Sequence, residues 1–195
     1  MNTATILLVV LVLLVLAAAA FFVVQSRKRK ALQERFGPEY DRAVEDSDGK
    51  RDAERELRER AERRDALDIK PLEPAARDGY AEQWRATQER FVDAPDAAVT
   101  EADRLVARVM QQRGYPVGDF DQMARDVSVD HSQVVHEYRA AHEISERNDR
   151  EQATTEELRQ AMVHYRALFS DLLEDSPDGS PADPTEDRRE AGGRR

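Results

Sequence analysis

The stretch Ala4 to Val24, ATILLVVLVLLVLAAAAFFVV, contains no charged side chain and has Thr5 as its one polar residue. Wound as an α-helix it is about 31 Å long, against about 30 Å for the hydrocarbon core of a bilayer. The eleven Ile, Leu and Val residues from Ile6 to Leu16 favour insertion by roughly 3 to 6 kcal/mol. Ala17 to Ala20 supply the small residues of a signal-peptide cleavage site. Against cleavage, no Lys or Arg precedes Ile6, the apolar run exceeds an ordinary signal-peptide core, and Phe21, Phe22, Val23 and Val24 continue it past the alanines. The expectation is an uncleaved transmembrane anchor over residues 1–26.

Arg27, Lys28, Arg29 and Lys30 follow the apolar run, and no side-chain cation precedes it. Positive charge is retained on the cytoplasmic side, so this cluster predicts a cytoplasmic C-terminal domain and an N-terminus facing outward. The same four cations can touch anionic lipid headgroups, at about 1 kcal/mol each near the surface. The bilayer is thus the first expected partner.

Charge separates the remainder from the anchor. The formal net charge is −10, and setting the four clustered cations aside leaves residues 31 to 195 at −14. A general nucleic-acid binder needs a concentrated basic face to release counterions, so nucleic acid is not an expected partner. The chain has no cysteine, which removes disulfides, thiol nucleophiles and thiolate metal sites while leaving the compartment open.

Residues 27–70 read as a basic juxtamembrane segment and a charged helical spacer. Leu32, Phe36, Tyr40 and Val44 recur at steps of four, interrupted by Gly37 and Pro38, which predicts a helix that breaks and resumes. Lys50 to Leu67 has apolar positions only at Ala53, Leu57, Ala61, Ala66 and Leu67. Such a stripe suits a solvated spacer carrying ion pairs one turn apart, and is too thin to argue for a coiled coil.

Residues 71–174 predict a bundle of about five helices. The first opens at Pro74 and places Ala76, Tyr80, Trp84, Thr87 and Phe91 on one face. The second ends at Gly114 before Pro116. Asp119 and Gln122 suit the start of a short third, Ser128 or Asp130 opens a fourth, and Thr154 with Glu157 forms a capping box for the last. With no convincing strand alternation, the fold class is all-α. Residues 175–195 hold no apolar side chain larger than Ala and Pro, which predicts a disordered tail.

The reactive residue types form no recognisable constellation. His131, His136, His142 and His164 lack metal-ligand spacing; His142 with Glu146 is the best pair one turn apart, but no H-E-x-x-H accompanies it. Asp46, Asp48 and Gly49 hint at a calcium loop, yet the register puts Val44 and Arg55 where acidic ligands are required. Neither a phosphate-binding glycine loop nor a G-x-S-x-G elbow is present. No catalytic residue, metal or cofactor is therefore expected. Tyr80, Trp84 and Phe91 fit a core face or a peptide groove. The loop at Arg113, Gly114, Tyr115 and Pro116 is the other candidate partner surface, since loops carry function more often than core faces.

The runs FGPEYDRAV (Phe36 to Val44), FVDAPDAAV (Phe91 to Val99), ADRLVARVMQQRGYP (Ala102 to Pro116), SVDHSQVVHEYRAAH (Ser128 to His142) and LRQAMVHYRALF (Leu158 to Phe169) resemble an uncharacterised family of bacterial single-pass membrane-anchored proteins. The resemblance implies a bacterial envelope location and a helical domain, and carries no assigned activity. The expected function is a non-enzymatic interaction or scaffold module at the cytoplasmic membrane. The alternatives are a small tethered enzyme using histidine and carboxylate, or a cell-surface helical domain.

Overall fold

The computed structural model describes residues 3–174, and every regular element among them is an α-helix. The elements are α1 (Thr3–Phe36), α2 (Pro38–Asp46), α3 (Lys50–Asp65), α4 (Pro74–Arg90), α5 (Pro95–Arg113), α6 (Phe120–Val127), α7 (Val135–Asp149) and α8 (Thr155–Glu174). The fold is all-α, and the last five helices form the expected bundle. The expectation of a disordered tail over 175–195 lies outside the described residues.

The breaks between helices follow from local chemistry. α1 stops at Gly37, which takes φ +46°, and Pro38 opens α2. A side chain at position 37 would also run into the Gln133 amide, 2.6 Å from an added Cβ. α5 closes in a Schellman turn: Gly114 sits at φ +103°, its N–H donates to the Gln111 carbonyl, and the Tyr115 N–H donates to the Met110 carbonyl. A Cβ at Gly114 would lie 2.5 Å from the Asp68 carbonyl oxygen. Glycine there lets the segment before α4 pass close enough for the Lys70 N–H to donate to the Arg113 carbonyl at 2.8 Å. Asp119 caps α6 by accepting from the Gln122 N–H at 2.9 Å. α7 starts at Val135, later than expected, because residues 128–134 form turns in which the His131 N–H bonds back to the Val127 carbonyl.

At α8 the capping box is reciprocal. The Thr154 N–H donates to the Glu157 carboxylate at 2.7 Å, and the Glu157 N–H donates to the Thr154 hydroxyl at 3.3 Å. The backbone bond from Thr154, then its hydroxyl and the Arg147 guanidinium, hold the Glu157 carboxyl down at about 2. A carboxylate whose pKa falls on folding stabilises the fold above its unfolded pKa, and the gain fades as pH drops through the folded value. Glu157→Gln is therefore expected to lower the thermal midpoint at neutral pH. The gap to wild type should close between the ordinary glutamate value of 4.5 and about 2; melting curves of both chains across that range check it, and a constant gap would refute the cap.

Two cores result. In the larger, α8 packs against both α5 and α7, and α4 lies along α5. Val99, Leu105, Val106, Val109, Tyr138, Leu158, Tyr165, Leu168 and Leu172 are among its enclosed side chains. The Tyr165 hydroxyl donates to Asp103 at 2.9 Å, and burial, followed by the Asp103 charge, pushes the Tyr165 phenol well above its usual range.

The second core corrects the reading of 27–70 as a spacer. Leu32 and Phe36 of α1, Tyr40 and Ala43 of α2, and Ala53, Leu57 and Ala61 of α3 are all buried, together with Val129. The seam on α3 is thin, as its sequence indicates, but α1 and α2 bring the bulk that fills it. The arginines beside the seam are not simply solvated. Arg64 reaches Asp130 at 2.6 Å and Arg63 reaches the buried Asp126 at 3.1 Å, joining α3 to the region around α6. The end of α1, together with α2 and α3, is thus part of the folded unit.

Candidate functional site

α1 is one uninterrupted helix with two different surfaces. From Leu11 to Leu16 and Phe21 to Val24 its large apolar side chains lie bare, Phe22 at 78% exposure. Further along the same helix, Leu32 and Phe36 are buried in the second core. Among the described residues it is the helix long and apolar enough to cross a membrane.

The basic cluster sits at the junction and is divided by the fold. Arg27, Lys28 and Lys30 are exposed, whereas Arg29 turns inward and donates to the buried Glu54 carboxylate at 2.7 Å. The Tyr40 hydroxyl donates to the same oxygen at 3.0 Å. Burial, then this bond, pushes the Tyr40 phenol up to about 12. Arg35 meets Asp65 at 2.8 Å on the next turns, so α1 and α3 run parallel with α2 folding back between them.

The loop expected to meet a partner is turned inward. Arg113 and Tyr115 are buried, at 3% and 2% exposure. Arg113 donates to the Lys70 and Leu172 carbonyls, and Tyr115 donates to Asp130 at 2.6 Å. Burial, then this bond, pushes the Tyr115 phenol far above its usual value. Gly114 is occupied in closing α5, and Pro116 alone of the four keeps an exposed side chain. The apolar bulk of Tyr115 and the five donors of Arg113 make them linchpins between α5, the α3–α4 segment and α8.

The histidines are scattered. His131 is buried, with Nδ1 2.5 Å from Asp171 and Nε2 facing Arg113 at 3.4 Å. His164 pairs with Glu137, which also meets His136 at 3.1 Å. His142 stacks on Phe120 with ring centroids 3.5 Å apart. No group of three or more histidine or acidic ligands able to hold a metal occurs among the described residues. His142 also stands 4.0 Å from both Asp103 and Glu146.

An open groove is the feature that sequence reading reached only in part. α4 and α8 run antiparallel beside α5, with Arg77 to Ala81 opposite Ser170 to Glu174 and Gln88 to Phe91 opposite Arg159 to Val163. Two cavities of about 430 and 190 Å³ share Gln88 and Arg166 and form one furrow. Its floor and walls are Trp84, Phe91, Met162, Val163, Phe169 and Leu173. Trp84 stacks on Phe169 at 4.7 Å, so the expected aromatic stripe serves both as core and as groove lining. Val163 is 55% exposed on the outer face of α8. Its place in the α8 pattern was the available signal; the partner helix, some 80 positions earlier in the chain, was not visible.

A second cleft of about 210 Å³ gathers Arg42, Arg60, Arg125 and Arg139 around Glu39, Asp46 and Asp121. There Glu39 grips Arg139 through both carboxylate oxygens, Arg42 pairs with Asp46 and Arg60 with Glu56. Compared with protein-family models, curated proteins and solved structures, the chain shows no significant match.

Proposed function

We propose that this chain is a non-enzymatic, single-pass protein of the bacterial cell membrane whose helical domain sits on the cytoplasmic face and binds another protein. The observation that carries the proposal is α1: bare and apolar where it would meet lipid, then locked into the second core without a flexible joint. Contiguous apolar surface of this extent calls for lipid or a partner to cover it. The Arg29–Glu54–Tyr40 contacts fix the domain directly beneath the basic cluster. A tether of this kind presents a surface at constant height and orientation.

The bilayer and a second protein are the partners in this reading, with no cofactor. Affinity capture of the tagged full chain after cross-linking in intact membranes is expected to return the same protein repeatedly. Repeats that return nothing in common would overturn the interaction role. Topology has its own check, since Ser180→Cys introduces the sole thiol of the chain. An impermeant thiol reagent is expected to label it only after the cells are permeabilised; labelling of intact cells would place the domain outside.

A further inference from the structure

We infer that the α4/α8 groove receives an amphipathic helix with an acidic polar face, supplied by the partner protein. This rests on the protein-binding reading above and names the chemistry of its site. Residues Arg77 to Phe91 of α4 make a furrow about 21 Å long, room for four turns of a guest helix. A guest helix docks in such a furrow through anchors at i, i+3 or i+4, and i+7, and Val163 and Phe91 are the lining side chains left uncovered to meet them.

Charge selects the sign of the guest. Residues 31 to 195 carry −14, yet the groove is edged by Arg77, Arg85, Arg159 and Arg166 against Asp78 and Glu174. Arg159 is shared with Glu156 at 2.6 Å, while Arg85 and Arg166 stand exposed on opposite walls. Arginines in excess along the furrow of an otherwise acidic domain attract carboxylates, so they steer the approach and orientation of an acidic guest. The acidic stretch of residues 175–187 lacks any apolar side chain large enough to fill the lining.

Trp84 is the single tryptophan of the chain and lines the groove, so its fluorescence reports occupancy. The full chain in detergent micelles is titrated with stapled helical peptides free of Trp and Tyr. One bears a leucine stripe flanked by glutamates, a second the same stripe flanked by lysines, and a third the glutamate composition with the stripe scrambled. The glutamate peptide alone is expected to shift Trp84 emission saturably, with binding that weakens as salt rises. Arg85→Glu with Arg166→Glu should weaken it at least about tenfold, which is about 1.4 kcal/mol, and should admit the lysine peptide. Equal binding of glutamate and lysine peptides would overturn the inference, as would binding of the scrambled one or no binding at all. A chain ending at Glu174 that binds where the full chain does not would assign the groove to the tail. Loss of a dimer on Val163→Glu would assign it to a second copy. Capture of a membrane partner that is indifferent to these groove variants would overturn the groove assignment and leave the interaction role standing.

Discussion

Leu57→Ala is expected to destabilise the domain by about 2 to 5 kcal/mol, the cost of lost transfer energy plus a cavity that its neighbours cannot fully close. Leu57 is completely enclosed by Leu32, Phe36, Tyr40, Ala43, Ala53 and Ala61. Four of those partners are small or held by the Arg29–Glu54–Tyr40 contacts, so little side-chain volume is free to relax into the hole. Were α3 a solvated spacer, the same change would alter stability by about 0.5 kcal/mol or less. Val92→Ala, at a position 83% exposed, serves as the control that should do nothing. Denaturant unfolding of the full chain in micelles measures both. Hydrogen exchange adds the location: amides of residues 29–36 in α1 should lose protection in Leu57→Ala before those of α5 and α8. A variant as stable and as protected as wild type would show that the N-terminal helices do not belong to the folded unit.

This result bears on what a sequence of this kind discloses. The all-α class, the start of α4 at Pro74, the Gly114 stop, the Asp119 cap and the Thr154–Glu157 box were legible because each depends on residues a few positions apart. The second core was not. Ala53, Leu57 and Ala61 make a seam whose worth depends on Phe36 and Tyr40 arriving from other helices, and the density of arginine around it resembles a solvated face. The candidate loop failed for a related reason. Arg113 and Tyr115 are polar or amphipathic side chains in a turn, and only the fold reveals that Leu172, Lys70 and Asp130 stand ready to satisfy them inside. The groove was half legible: Trp84 and Phe91 were visible as a stripe, while its other wall, α8, had to be folded against them.

The ion pairs that join the two cores are the most remote from sequence reading, and they set the second large expectation. Glu39 is 3% exposed and accepts from both terminal nitrogens of Arg139, at 2.5 and 2.9 Å, across a separation of 100 residues. Arg60 stands 3.9 Å from the same carboxylate. Burying charge is costly, so such a pair adds little over apolar packing, but removing one member strands the other in a poorly solvated place. Glu39→Gln keeps the shape and deletes the charge, leaving Arg139 at 15% side-chain exposure without its counter-ion. The expected loss is about 3 to 5 kcal/mol. Asp46→Asn, which breaks the exposed pair with Arg42, should cost at most about 1 kcal/mol. The double change Glu39→Leu with Arg139→Met separates the causes. Recovery of most of the loss identifies a stranded guanidinium as the source, whereas a double variant as unstable as the two singles combined would mean that the side chains act independently. Because Glu39 belongs to α2 and Arg139 to α7, the same single variant should also loosen the anchor-bearing helices from the bundle, which would let the groove swing relative to the membrane surface. Partner capture from membranes should then fall in Glu39→Gln, even though α4 and α8 are untouched, while the isolated peptide interaction read by Trp84 persists.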